Sequence, residues 1–143
     1  MDWTYLFTSF GGRINRKPFW LALLVLLLVS FVLQFTVMAV AGQTAALTVS
    51  LLLLYPNYAL SVKRFHDRNR PDWMLQAFYA LLVAIILMQL AGLDRAGTEP
   101  TTLFIAVGAI FLIGAIWLTI ELGFLRGTAG SNDYGPDPLE GQA

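Results

Sequence analysis

The sequence predicts an all-α membrane protein, with four transmembrane helices in an antiparallel bundle and a short interfacial helix at the N-terminus. Composition is the first reason: 57% of the 143 residues are hydrophobic and only 13% are charged, about half the charged share of a soluble domain. So few charges would leave apolar surface uncovered in water, whereas a bilayer needs no such cover. The second reason is four long apolar stretches, 19–40, 44–62, 73–92 and 101–125. At a rise of about 1.5 Å per residue they extend about 28 to 37 Å, against a hydrocarbon core of about 30 Å. The third is that leucine dominates them without strand alternation, which makes them helices.

Each element follows in order. In the N-terminal segment, 1–18, Trp3, Leu6, Phe7 and Phe10 recur at helical spacing, as expected of a short helix floating in the headgroup interface. Pro18 suits the first turn of the first span, where its missing N–H costs nothing. Only Ala41, Gly42 and Gln43 separate the first two spans, so these must form a hairpin. Pro56 beside Asn57 predicts a kink in the second span. Residues 63–72 read as a short charged loop closed by Pro71, with Asp72 placed to cap the third helix. Residues 93–100 form the opposite loop, and 126–143 a tail beyond the transmembrane domain, 19–125.

Orientation comes from the basic residues. Arg13, Arg16, Lys17, Lys63, Arg64, Arg68, Arg70 and Arg126 fall on one side and Arg95 on the other, so that side, with both termini, is expected in the cytoplasm. The first span ends in Ala39-Val40-Ala41, which mimics a signal-peptidase site. It is longer than a signal core and has a packing partner, so it is expected to stay uncleaved.

Several functions are excluded. The formal net charge is zero, and the aromatic residues interleave with leucine rather than with a basic stripe, so no nucleic-acid partner is expected. Without cysteine there is no disulfide, thiol nucleophile or thiolate metal site. His66 beside Asp67 lacks the further ligands a metal needs, and no phosphate loop, serine elbow or paired carboxylates accompany it. An ion-pair network with the nearby arginines is the expectation for His66-Asp67, and no cofactor is called for. Glu121 is the one ionisable residue inside a span and needs a cationic partner, with Arg64, Arg16 and Arg13 the candidates. The glutamines within the spans read as interhelical hydrogen-bonding groups.

Three motifs carry a resemblance. They are Gly12-Arg13-Ile14-Asn15-Arg16-Lys17-Pro18-Phe19-Trp20, then Arg64-Phe65-His66-Asp67 with Trp73 downstream, and Gly130-Ser131-Asn132-Asp133-Tyr134-Gly135-Pro136-Asp137-Pro138. In this order they resemble the bacterial inner-membrane family Domain of Unknown Function 805, from about residue 10 to 138. Pro71-Asp72 departs from the small residues members often have there. The resemblance implies a small helical protein of the bacterial inner membrane and no established activity.

The function expected is therefore non-enzymatic: a membrane protein that binds anionic lipid headgroups or a membrane-protein partner, with a small oligomeric transporter or channel component as the alternative. The spans place all three motifs at one membrane face. The candidate interaction site is accordingly Arg13, Arg16, Arg64, His66, Asp67, Trp73, Glu121, Asn132 and Tyr134, with the tail docked on the arginines and on His66-Asp67.

Overall fold

The computed structural model describes residues 1–140, so the last three residues of the expected tail lie outside the described residues. The elements are α1 (Trp3–Thr8), α2 (Arg16–Asp67), α3 (Asp72–Leu90), the two-residue strands β1 (Arg95–Ala96) and β2 (Glu99–Pro100), and α4 (Thr102–Leu118). A π-helix, Thr119–Phe124, continues α4. Among the described residues, three helices are long and apolar enough to cross a membrane: Arg16–Asp67, Asp72–Leu90 and Thr102–Phe124.

The 52 residues of α2 are interrupted once, at Gly42, whose φ of 79° and ψ of −177° are not helical. Glycine alone adopts such a backbone without strain. The chain turns back there, because the Gln34 side-chain amide donates to the Ser50 hydroxyl. In a continuous helix those two residues would stand about 24 Å apart. Residues 16–41 and 43–67 are thus two arms lying side by side. Pro56 lies inside the second arm, where the dihedrals stay helical. The Asn57 amide donates to the Leu53 carbonyl over 3.1 Å, beside the proline that interrupts the ladder.

Burial is inverted relative to a soluble protein. Phe31 and Val40 are 71% and 83% exposed, whereas Lys63 and Arg64 are fully buried. Apolar surface faces outward, as suits a lipid solvent, and the charges lie inside the protein. Where Leu6, Phe19, Leu60, Phe65, Leu75 and Leu122 meet, they form a core at the end of the molecule that carries the charges.

Two local expectations are corrected there. Residues 63–67 are not loop but the buried last turn of α2, since no breaker stands before Asn69, whose φ is 54°. And α1 does not float: Leu6 is buried. Lys63 Nζ donates to the carbonyls of Leu6 (2.9 Å), Ala59 (2.6 Å) and Ser9, lying 5.1 Å from the centre of the Tyr5 ring. A buried ammonium thus ties the C-terminal end of α1 to the second arm through carbonyls that the short helix leaves unpaired.

Candidate functional site

The three motifs meet in one polar cluster built around the end of the last helix. Helices leave their final carbonyls without intrahelical partners, and here the wide turn of the π-helix, closed by Leu125 N–H to Ile120 O at 3.2 Å, aims them back at α2. Five successive carbonyls are answered by five side-chain donors. Arg64 Nε donates to Leu122 O (2.7 Å), Trp20 Nε1 to Gly123 O (3.0 Å), Arg16 Nη1 to Phe124 O (3.2 Å), Arg64 Nη2 to Leu125 O, and Arg68 Nη1 to Arg126 O. Cations at a helix C-terminus also oppose its negative dipole end.

Asp67 is the hub. One carboxylate oxygen takes Arg13 through Nε (3.2 Å) and Nη2 (3.1 Å), and the other takes Arg64 Nη1. The side chains of all three are almost wholly buried. Arg13 spends its remaining donors on the tail: Nη1 on the carbonyls of Gly130 (2.8 Å) and Gly135 (3.0 Å), and Nη2 on the Thr128 carbonyl (2.7 Å) and hydroxyl (3.2 Å). Thr128 in turn gives its backbone N–H to the Asp67 carbonyl, 2.8 Å away. Gly127 passes so close that a β-carbon there would stand 2.0 Å from Asp67 Oδ2.

His66 carries the rest of the tail. Its Nδ1 lies 3.2 Å from the Gly12 carbonyl and its Nε2 2.7 Å from Asp72 Oδ1. Both neighbours are acceptors, one within reach of each ring nitrogen. Asp72 is therefore spent on His66 and does not cap α3; Pro71 occupies the cap position and no side chain caps it. The Tyr134 ring stacks on the imidazole, with centroids 3.9 Å apart and planes within 7°, and its hydroxyl donates to the Arg70 carbonyl over 3.0 Å. Burial first, then Asp72 and Asp133, push that hydroxyl's pKa up, which keeps its proton for donation. Asn132 donates to the His66 carbonyl (2.9 Å) and to the Thr128 hydroxyl (2.8 Å), while its own carbonyl oxygen accepts the Tyr134 N–H (2.9 Å), closing an Asx turn. Asp137, held below the usual carboxylate range by the N–H groups of Leu139 and Gly130, closes the next turn.

Glu121, on the π-helix, has its cation from another segment, but not from the expected arginines. Its Oε1 accepts from Arg68 Nε (3.1 Å) and Arg70 Nε (3.0 Å). Of the residues singled out in the sequence, Arg13, Arg16, Arg64, His66, Asp67, Glu121, Asn132 and Tyr134 lie in this cluster. Trp73 does not: it is 65% exposed on the outside of α3. Sequence reading missed Arg68, Arg70, Thr128 and Lys63. The first two stand within five residues of His66 and could have been paired with the single carboxylate in a span.

A cleft of about 140 Å³ opens beside the hub, lined by Asn15, Arg16, Arg64, Asp67, Arg126 and Asp137 among others. Three arginines face two aspartates across it.

Apolar helices outside and a sealed polar cluster within define a helical membrane protein, and comparison with known proteins gives its kin. The chain belongs to the family described as "Protein of unknown function (DUF805)", which matches residues 7–136. It is 34% identical to the uncharacterized protein YiiR of Escherichia coli K12, over 90% of this chain and 85% of that one. It is 30% identical to the inner membrane protein YhaH of the same strain, over 96% and 97% of the two chains. With the inner membrane protein YhaI it shares 26% identity, over 94% and 90%. No solved structure matches it.

Proposed function

We propose that this chain is a non-enzymatic protein of the bacterial inner membrane that crosses it four times with both termini in the cytoplasm, and that its cleft binds the phosphate of anionic lipid headgroups. The two arms of α2 support the count. At about 1.5 Å per residue, residues 16–41 and 43–67 extend about 39 and 37 Å, each enough for one crossing. Eight of the nine basic residues lie at the clustered end and Arg95 at the other, which favours the clustered end inside.

The cleft carries the functional reading. Arg13 and Arg64 have their donors spent inside the protein, but Arg16 gives one bond to Phe124 O and Arg126 donates no side-chain hydrogen bond among the described residues. These two exposed guanidiniums flank the cleft, and its volume suits a phosphate rather than a peptide. Arginine's planar fork matches phosphate oxygens, and each juxtamembrane cation is worth about 1 kcal/mol of attraction to an anionic leaflet. A catalytic reading has less support, because His66, Asp67 and Glu121 are each engaged by internal partners.

Native mass spectrometry of the detergent-purified chain with added phosphatidylglycerol and phosphatidylcholine tests this. The wild type is expected to retain the anionic lipid preferentially, and Arg16→Ala with Arg126→Ala to lose the preference; equal retention by both proteins would refute the reading. The cysteine-free chain also allows a topology test. Thr44→Cys and Gly97→Cys should react with an impermeant thiol reagent from outside, and Asn69→Cys and Ser131→Cys should not.

A further inference from the structure

Beneath the cluster lies a second, larger space. A chamber of about 510 Å³ sits between both arms of α2, α3 and α4, walled by apolar side chains such as Leu27, Phe78, Leu82 and Phe111. That volume falls in the range of ligand sites, which are mostly apolar with a few placed polar groups. The polar groups here are Asn57, Ser61, Tyr79 and Thr119. Ser61 and Tyr79 share a hydrogen bond of 3.1 Å between their hydroxyls, and one bond uses one of two hydroxyl protons, so one remains to donate. Tyr79 stands seven residues into α3, about 10 Å below the clustered end.

The chamber and the cleft adjoin. Arg16, on the cleft, is one helical turn before Phe19 and Trp20, which line the chamber. Arg64, also on the cleft, holds the carbonyl of Leu122, another chamber residue. The chamber is open on part of its boundary rather than enclosed, although α2 meets α4 nearby through Phe65 on Trp117, ring centroids 6.1 Å apart. Packed proteins do not keep voids of this size empty, and in a bilayer the medium that enters an apolar space through such an opening is lipid.

We infer that the chamber holds one acyl chain of an anionic phospholipid, its ester carbonyl accepting from the Ser61–Tyr79 hydroxyl pair and its phosphate reaching Arg16 and Arg126. This rests on the headgroup reading above and adds the hydrophobic half of the ligand. The order of groups along such a lipid, phosphate then ester then hydrocarbon, is the order of arginine, hydroxyl and apolar wall from cleft to chamber.

The test uses the full chain in detergent with phosphatidylglycerol that carries a diazirine in its acyl chain, and maps the photoadducts by peptide mass spectrometry. Adducts should concentrate on chamber residues, Leu82 and Phe111 foremost, rather than on outward residues such as Ile113 and Leu52. Labelling spread evenly over the lipid-facing surface would overturn the inference. Ala115→Phe, which fills the chamber, should reduce phosphatidylglycerol retention at least tenfold and abolish chamber adducts. The Arg16→Ala, Arg126→Ala protein should keep chamber adducts and lose only its preference over phosphatidylcholine. If Ala115→Phe melts like wild type yet retains lipid equally, the chamber assignment fails while the headgroup reading stands. If the arginine variant keeps its preference while Ala115→Phe loses lipid, the headgroup reading fails, and with it the assignment of the phosphate. If Ala115→Phe does not fold, the wild-type adduct map decides.

Discussion

The two ends of this molecule are held together by different physics. At the clustered end, segments more than a hundred residues apart are joined by buried charges, with Asp67 between two arginines and five helix-end carbonyls each given a donor. At the other end the arms of α2 are joined near their turn by one amide-to-hydroxyl bond, Gln34 to Ser50. The loop of β1 and β2 carries an ion pair of 3.6 Å between neighbours, Asp94 and Arg95, and a bond of 2.9 Å from the Thr101 hydroxyl to the Leu93 carbonyl. The lipid-embedded parts need little to hold a hairpin closed, since helices there satisfy their own backbones. Where helices end and loops begin, the backbone groups have no such internal answer, and the polar side chains concentrate to supply it.

Removing Asp67 should break this contrast most severely. Asp67→Ala leaves two buried guanidiniums without their anion, which costs about 3–5 kcal/mol for a broken buried pair; thermal unfolding in detergent should show a large fall in Tm. Next comes Gly127→Ala, whose β-carbon must displace either the tail or the Asp67 carboxylate. Overpacking of that kind costs about 1–3 kcal/mol, and the tail from Thr128 onward should become open to protease before the helices melt. At the opposite end Gln34→Ala should cost only about 0.6 kcal/mol, as interhelical hydrogen bonds in membranes do on average. A loss as large as that of Asp67→Ala would erase the distinction between the ends.

The smallest effect is acid release of the tail turn. Asp137 has its pKa lowered in the folded chain, so its contribution is present above the ordinary carboxylate range and is lost as pH falls through the folded value. The protection factors of the Gly130 and Leu139 amides against hydrogen exchange should therefore fall as pH drops through the carboxylate range, and Asp137→Asn should reduce that pH dependence.

Much of this arrangement was legible in the residues. Apolar stretches located the helices, Gly42 located the turn, and the threading of the chain required Arg13, Arg64 and Asn132 to share an end. What was not legible were the pairings, because they depend on which carbonyls a distant helix end presents. Lys63 and Arg64 looked like loop residues, since charge ordinarily means exposure. They are helical and buried because the carbonyls of Leu6, Ala59, Leu122 and Leu125 replace water around them. Glu121 pairs with Arg68 and Arg70 rather than Arg64 because Asp67, one turn along the same helix, already claims that arginine. Trp73 follows the second motif in sequence, yet its position on α3 points it away from the cluster.

The bonds from Arg13 to the tail also set an order in time. Arg13 leaves the ribosome 117 residues before Gly130, a delay of roughly 6 to 23 s at about 5–20 residues per second. During that interval the arginine has none of its tail acceptors, so the end that fastens the helices is still open while they are made. Fastening waits for Thr128, Gly130 and Gly135. A chain stalled or clipped before Thr128 retains every apolar helix yet cannot complete the cluster, so closure reports that the segment carrying Thr128, Gly130 and Gly135 has been made.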